Sequence, residues 1–200
     1  MDRQQLFDHL ENNTQVLQST AVKAAFHDID RGDFVGDDFQ VEAYEDYALP
    51  AGFGQTIGKP TVIAFMLELL DAKPGDKVLE IGAGTGWVTA LLSHIVGKDG
   101  TVNGLEIIPE LCDVAKKNLE KYSFPNTTID SGDFKKQKGK FDKIFCTASV
   151  LEIKGDISEK LEEGGSLVIP VGKNIVQAKK KNGRLIEQTY PGEFIFDPLV

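Results

Sequence analysis

Apolar and polar positions alternate along this chain in three different rhythms. From Arg3 to about Asp30, Leu6, Leu10, Val16, Leu17, Val22, Ala25, Phe26 and Ile29 recur at helical spacing, broken by polar Asn12, Asn13 and Thr14. This spacing predicts two helices ahead of the first long strand. The following stretch, Arg31 to Pro60, keeps no period and is rich in glycine, yet it carries Phe34, Phe39, Tyr44, Tyr47 and Phe53. Long loops within one domain are usually functional or disordered, and this many aromatics argue for order. Pro60 then opens a helix to about Asp71, at the first-turn position that suits a residue without an N–H.

From there strand and helix patterns alternate. KVLEI, TVNGLE, TTID, FDKIFC and SLVIPVG read as strands. Between them WVTALLSHIV (Trp87 to Val96), PELCDVAKKNLEKY and a short segment near Ile157 to Leu161 read as helices. Such alternation predicts an α/β fold with a doubly wound, mostly parallel sheet and right-handed crossovers. The tail differs, because NIVQAKKK and RLIEQTY flank Asn182-Gly183, a two-residue hairpin signal. An antiparallel hairpin should therefore close one sheet edge, its lysines 179–181 forming a charged edge, with GEFIFDPLV adding a last apolar segment.

With 200 residues, 41% of them hydrophobic, one domain spanning 1–200 is expected, residues 1–60 forming a subregion of helices and loop. Acidic residues outnumber basic ones 31 to 22, a net charge of −9, which argues against a sequence-independent grip on nucleic acid. Cys112 and Cys146 show no CxxC spacing and no adjacent histidines, so buried thiols are expected and a metal site is not. No apolar run approaches the roughly 18 residues of a membrane span, and the first residues lack a signal-peptide core. A cytoplasmic monomer is the expectation.

The chemistry concentrates in VLEIGAGTG, Val78 to Gly86. Its apolar residues suit a strand covered on both faces, and Gly82, Gly84 and Gly86 let the backbone turn sharply and approach a ligand. The helix that follows aims its amino-terminal dipole at whatever sits over the turn. About twenty residues on, TVNGLE ends in Glu106, where a carboxylate can accept both hydrogen bonds of a ribose diol. A dinucleotide fingerprint requires a small residue where this chain has Trp87, which disfavours a nicotinamide cofactor. The strand-end acid Glu80 followed by the three glycines is instead the arrangement of S-adenosylmethionine enzymes.

Taken with its surroundings, this stretch resembles the protein-L-isoaspartate O-methyltransferase family. The likeness is carried by DRGDFV, AYEDYALPAGFGQTIGKP, VLEIGAGTGWVTALLSHIVG, VNGLEIIPEL, SGDF, KFDKIFCTAS, LEEGGSLVIPVG and FIFDPL. The resemblance implies a Rossmann-like methyltransferase fold. It also implies transfer of a methyl group from S-adenosylmethionine to the free carboxyl of an isoaspartyl residue, after which the ester can collapse to a succinimide. By the same resemblance Gln55, Thr56, Ile57, Glu80, Gly82, Gly84, Gly86, Glu106, Ile107, Gly132, Asp133 and Phe134 would contact the cofactor. Pro170, Val171 and Gly172 would receive the substrate backbone, and Asp46 matches an acidic position of the active-site segment.

Two departures from the family stand out. Gly58 occupies the position of a serine whose hydroxyl faces the reacting carboxylate, leaving Thr56 as the nearby hydroxyl. Lys59 adds a positive charge able to attract a carboxylate, or is an ordinary solvated lysine. Phe134 follows Asp133 where relatives often have glycine, and either stacks beside adenine or fills space. These departures keep two other functions open: methylation of a different peptide carboxylate, and a cofactor-binding adaptor without turnover.

Overall fold

The computed structural model describes residues 1–199, so Val200, the last residue of the predicted apolar segment, lies outside the described residues. In chain order come α1 (Arg3–Asp8), extended by a π-helical turn over His9–Asn13, and α2 (Thr20–Asp28). Two 3-10 turns, Arg31–Phe34 and Asp37–Glu42, lead to a small antiparallel hairpin of β1 (Leu49–Gly52) and β2 (Gln55–Ile57). After α3 (Pro60–Leu70) the alternating units are β3 (Lys77–Ile81), α4 (Trp87–Val96), β4 (Thr101–Glu106), α5 (Pro109–Leu119), β5 (Thr127–Ser131), β6 (Phe141–Cys146) and α6 (Gly155–Ser158). Three strands complete the chain: β7 (Leu161–Val171), β8 (Asn174–Lys181) and β9 (Arg184–Tyr190).

The main sheet has seven strands in the order β5-β4-β3-β6-β7-β8-β9. All pairs from β5 to β7 are parallel, and β7–β8–β9 are antiparallel. The α/β fold with a mostly parallel doubly wound sheet and an antiparallel edge hairpin is thus the one the hydrophobic pattern predicted. Asn182 (φ 53°) and Gly183 (φ 73°) both take the left-handed conformation that a two-residue hairpin of this twist demands. The sheet winds outward from β3 in both directions, so the carboxyl ends of β3 and β6 flank the topological switch where ligands of such sheets bind.

Val78 and Leu79 are fully buried, and helix α4 is buried nearly all round. A helix without a polar face must be covered on two sides. The sheet covers one side of α4 and α2 the other, with Phe26 meeting the Trp87 ring edge-on at 5.7 Å. Trp87 is therefore bulky because it faces the amino-terminal helices.

The irregular stretch is only partly a loop. Its aromatics Phe34 and Tyr44 are buried or half-buried, and Phe34 stacks on Tyr122. The hairpin β1–β2 carries no sequence signal beyond its glycines, since its four- and three-residue strands are too short to establish a period. The closing segment after Tyr190 forms no strand of its own. It runs as a strap, tied to the turn after β6 by hydrogen bonds from Ser149 N to Asp197 O (2.8 Å) and from Leu199 N to Ser149 O (2.9 Å). No helix among the described residues is long and apolar enough to cross a membrane.

Candidate active site

A cavity of about 600 Å³ opens at the carboxyl ends of β3 to β6, within the range of small-molecule and cofactor pockets. Its floor is built by consecutive strand tips: Ile81, Gly82 and Gly84 after β3, Glu106 and Ile107 at β4, Gly132 to Phe134 after β5, and Thr147 with Ala148 after β6. The opposite wall comes from Asp46 to Ala48, from Gln55, Thr56, Gly58 and Lys59, and from the strap Glu193 to Leu199.

Glu106 organises the floor. Its Oε2 accepts from Gly84 N at 2.8 Å and its Oε1 from Ile108 N at 3.0 Å, while its carbonyl accepts from Gly132 N at 2.9 Å. Parallel pairing sets Leu105 beside Ile81, and the Leu105 carbonyl accepts from both Gly82 N and Ala83 N at 2.9 Å. The glycine turn, the tip of β4 and the turn after β5 are thereby locked together. Each carboxylate oxygen has accepted one protein hydrogen bond and keeps a second lone pair.

Gly84 has φ +57°, and a Cβ built there would meet no atom within 4 Å; the turn leaves space that a side chain would fill. A buried double acceptor beside a side-chain-free turn, in a cavity of this size, fits a nucleoside cofactor whose diol and chain must lie close to backbone.

Glu80 lies elsewhere. It is fully buried behind the strand tip, outside the cavity, where its Oε2 accepts from the Thr89 hydroxyl and its Oε1 has no partner. Burial pushes its carboxyl up to about 8, with the charge of Glu106 adding to the effect and the Thr89 bond opposing it. Gly86, which starts α4, packs against Ala115, and Ile57 is buried in the core beneath the hairpin; neither lines the cavity. Asp133 caps the 3-10 turn that follows it, accepting from Lys135 N at 2.9 Å. Phe134 is buried in the core cluster that includes Leu105, Phe141 and Ile144 while one side of it lines the cavity, so space filling and a ligand wall are combined in one ring.

On the facing wall Asp46 accepts from Thr61 N at 2.9 Å and from Thr61 Oγ1 at 2.7 Å, capping α3 from outside the helix. Its Oδ2 also lies 3.4 Å from His9 Nε2 and 3.6 Å from Lys59 Nζ. Burial opposes ionisation of this carboxyl, but the Thr61 hydrogen bonds, the Lys59 charge and the His9 contact outweigh it and hold the pKa below the usual value. Lys59 is nearly half exposed, and among the described residues it is the single basic side chain on the cavity wall.

The Thr56 hydroxyl donates to Asp197 Oδ2 at 3.3 Å, joining β2 to the strap. A Cβ on Gly58 would stand 2.7 Å from Ile63 Cδ1, so a larger residue requires Ile63 to move. Pro170, Val171 and Gly172 fall beside the cavity but do not line it. The Pro170 carbonyl and the Gly172 N–H already bond the two backbone groups of Val150, at 3.0 and 2.8 Å.

Sequence reasoning missed Tyr47 and the strap as walls because an aperiodic segment does not announce where it lies, and Ile63 because a helical period does not tell which buried position of α3 meets the cavity. FIFDPL was the one available sign for the strap.

A family model described as Protein-L-isoaspartate(D-aspartate) O-methyltransferase matches residues 1–200. The chain is 37% identical over 204 residues to protein-L-isoaspartate O-methyltransferase 2 of Archaeoglobus fulgidus, covering 98% of this chain and 92% of that protein. It is 36% identical over 214 residues to the protein-L-isoaspartate O-methyltransferase of Pyrococcus horikoshii, covering 100% and 96%. A solved protein-L-isoaspartate O-methyltransferase superposes with a TM-score of 0.88 at 29% identity, over 100% of this chain and 66% of the other. A Plasmodium falciparum structure described under the same enzyme name, in complex with S-adenosyl-L-homocysteine, gives a TM-score of 0.88 at 23% identity over 100% and 99%.

Proposed function

The chain belongs to the protein-L-isoaspartate(D-aspartate) O-methyltransferase family, and from that premise we propose how its own residues divide the work. It is an S-adenosylmethionine-dependent methyltransferase that esterifies the carboxylate of L-isoaspartyl residues in peptides and proteins. When bound, the cofactor supplies an electrophilic sulfonium methyl. The acceptor carboxyl has a reference pKa of about 3.3 to 4.3, so near neutral pH it is already the ionised nucleophile and needs no general base. The protein's tasks are placement and exclusion of water, which in ideal cases supply roughly 7–11 kcal/mol.

Glu106 holds the ribose, with Gly82 and Gly84 passing under the cofactor chain and Ile107, Gly132, Asp133 and Phe134 forming the adenine end. The observation carrying this is the buried Glu106 carboxylate with a free lone pair on each oxygen, beside a turn whose missing side chain is the open space. Gln55, Thr56, Gly58 and Lys59 form the acceptor end. Lys59 draws the carboxylate in, and Asp46 steers Lys59 and caps α3 without taking a proton. Support for this comes from the Lys59–Asp46 pair on a wall otherwise supplied with acids, Asp133, Glu193 and Asp197 among them. The backbone groups of Pro170 and Gly172 are taken up by Val150 and Ser149, so these residues are assigned no direct contact with the substrate.

We take it to work as a single-domain monomer, since its own helices already cover the sheet. A reducing, cytoplasmic setting suits its two free buried thiols.

The test uses labelled S-adenosylmethionine with matched peptides containing isoaspartate, aspartate or neither. Base-labile label on the isoaspartyl peptide alone is the expected result. Equal label on the aspartyl peptide would point to another peptide carboxylate as acceptor, and cofactor binding with no transfer to any peptide would favour an adaptor.

A further inference from the structure

Arg31 is 3% exposed, yet among the described residues no carboxylate forms an ion pair with it. A buried guanidinium without a bonded counter-ion is costly unless dipoles replace the lost water. Here four backbone carbonyls do so. Nη1 donates to Ala43 O (2.7 Å) and Glu45 O (3.2 Å), and Nη2 donates to Tyr47 O (3.0 Å) and Gly58 O (3.2 Å). The guanidinium carbon also lies 5.2 Å from the centroid of Trp87, the first residue of α4.

The two carbonyls on Nη2 belong to the two ends of the β1–β2 hairpin. One guanidinium thus closes the neck of that hairpin and rests it on the helix that follows the glycine turn. The residues beside these carbonyls, Asp46 and Ala48 just before β1 and Lys59 just after β2, all line the cavity.

We propose that Arg31 is a positioning residue for the acceptor end of the site, setting the spacing between the Asp46–Ala48 and Gly58–Lys59 walls without touching either ligand. This rests on the assignment of those walls to the acceptor under Proposed function. Lysine cannot replace it: an ammonium is a point donor and cannot span carbonyls on both sides of the hairpin neck.

The test compares wild type with Arg31→Lys, and with Arg31→Ala in the presence and absence of guanidinium ion. Arg31→Lys is expected to lower kcat/KM for an isoaspartyl peptide about 10- to 100-fold while the Kd for S-adenosylhomocysteine stays near the wild-type value. Guanidinium should restore part of the activity of Arg31→Ala. Independently of turnover, amide hydrogen exchange should quicken across residues 43–59 and stay unchanged across 77–106. If Arg31→Lys leaves acceptor kinetics and exchange at 43–59 unaltered, or weakens cofactor binding and protection of both segments alike, the positioning role is overturned. A wild type that fails to methylate isoaspartyl peptides would count against the proposed function, and the exchange pattern alone would then decide the role of Arg31.

Discussion

Glu80 and Glu106 sit on neighbouring strand tips of one sheet and have opposite environments. Glu106 accepts two backbone N–H bonds at the cavity floor, whereas Glu80 has a single hydroxyl partner in the core. Because burial raises the Glu80 pKa to about 8, the folded state keeps a proton that the unfolded state releases above its ordinary value near 4.5. The unfolded chain then binds fewer protons, and stability falls as pH rises from that value to about 8, by up to about 1.4 kcal/mol per unit. Glu80→Gln, which mimics the protonated form, should flatten that slope in denaturant titrations between pH 5 and pH 8; an unchanged slope would show that Glu80 is not its source. Glu106→Ala should weaken S-adenosylhomocysteine binding by roughly 10- to 100-fold, the loss expected for hydrogen bonds to a charged acceptor, as read by calorimetry. At Gly58 the structure predicts overpacking. Gly58→Ser forces Ile63 aside and should cost about 1–3 kcal/mol. Combining it with Ile63→Ala should recover at least about 0.5 kcal/mol relative to the sum of the single changes, whereas strict additivity would mean that Ile63 does not oppose the serine.

Among the elements, α3 depends on a residue outside it. Its first turn has no side-chain cap from Lys59, and Asp46, fourteen residues upstream of Pro60, takes that place through Thr61. An aspartate whose folded pKa is lowered stabilises above the unfolded value, near 3.8, and loses that contribution as pH falls through the folded value. Asp46→Asn should therefore cost about 0.5–2 kcal/mol at pH 6, a difference that shrinks below the ordinary aspartate value. If the two proteins differ equally at pH 3 and pH 6, the charge of Asp46 contributes nothing to the cap. The edge hairpin β8–β9 is simpler, since its turn is specified by two adjacent residues and needs nothing from the rest of the fold.

For the molecule as a whole, the net charge of −9 sets the field an acceptor must cross, and Lys59 is the one basic group on the described cavity wall. Raising ionic strength from about 0.01 to 0.15 M shortens the Debye length from about 30 to 8 Å. This should increase kcat/KM for an acidic isoaspartyl peptide and decrease it for a lysine-flanked one. Identical salt responses from the two peptides would show that the global field plays no part in acceptor capture.

The sequence by itself determined the α/β sheet, the glycine turn and Glu106, because each is written in a local period or a fixed spacing. β3, α4, β4 and the β8–β9 hairpin match their predicted limits for that reason. The tertiary structure decided what local pattern cannot express. Glu80 and Glu106 stand near strand ends on the same face of the sheet, and only the packing of α4 over Glu80 puts it in the core while Glu106, two residues further along the register, reaches the cavity. Arg31 carries no periodic signal, since its partners are carbonyls 12 to 27 residues away, and backbone carbonyls have no sequence signature. The strap likewise became a wall through two hydrogen bonds to Ser149. Local chemistry fixed which atoms could hold a cofactor, and long-range packing fixed which of them face it.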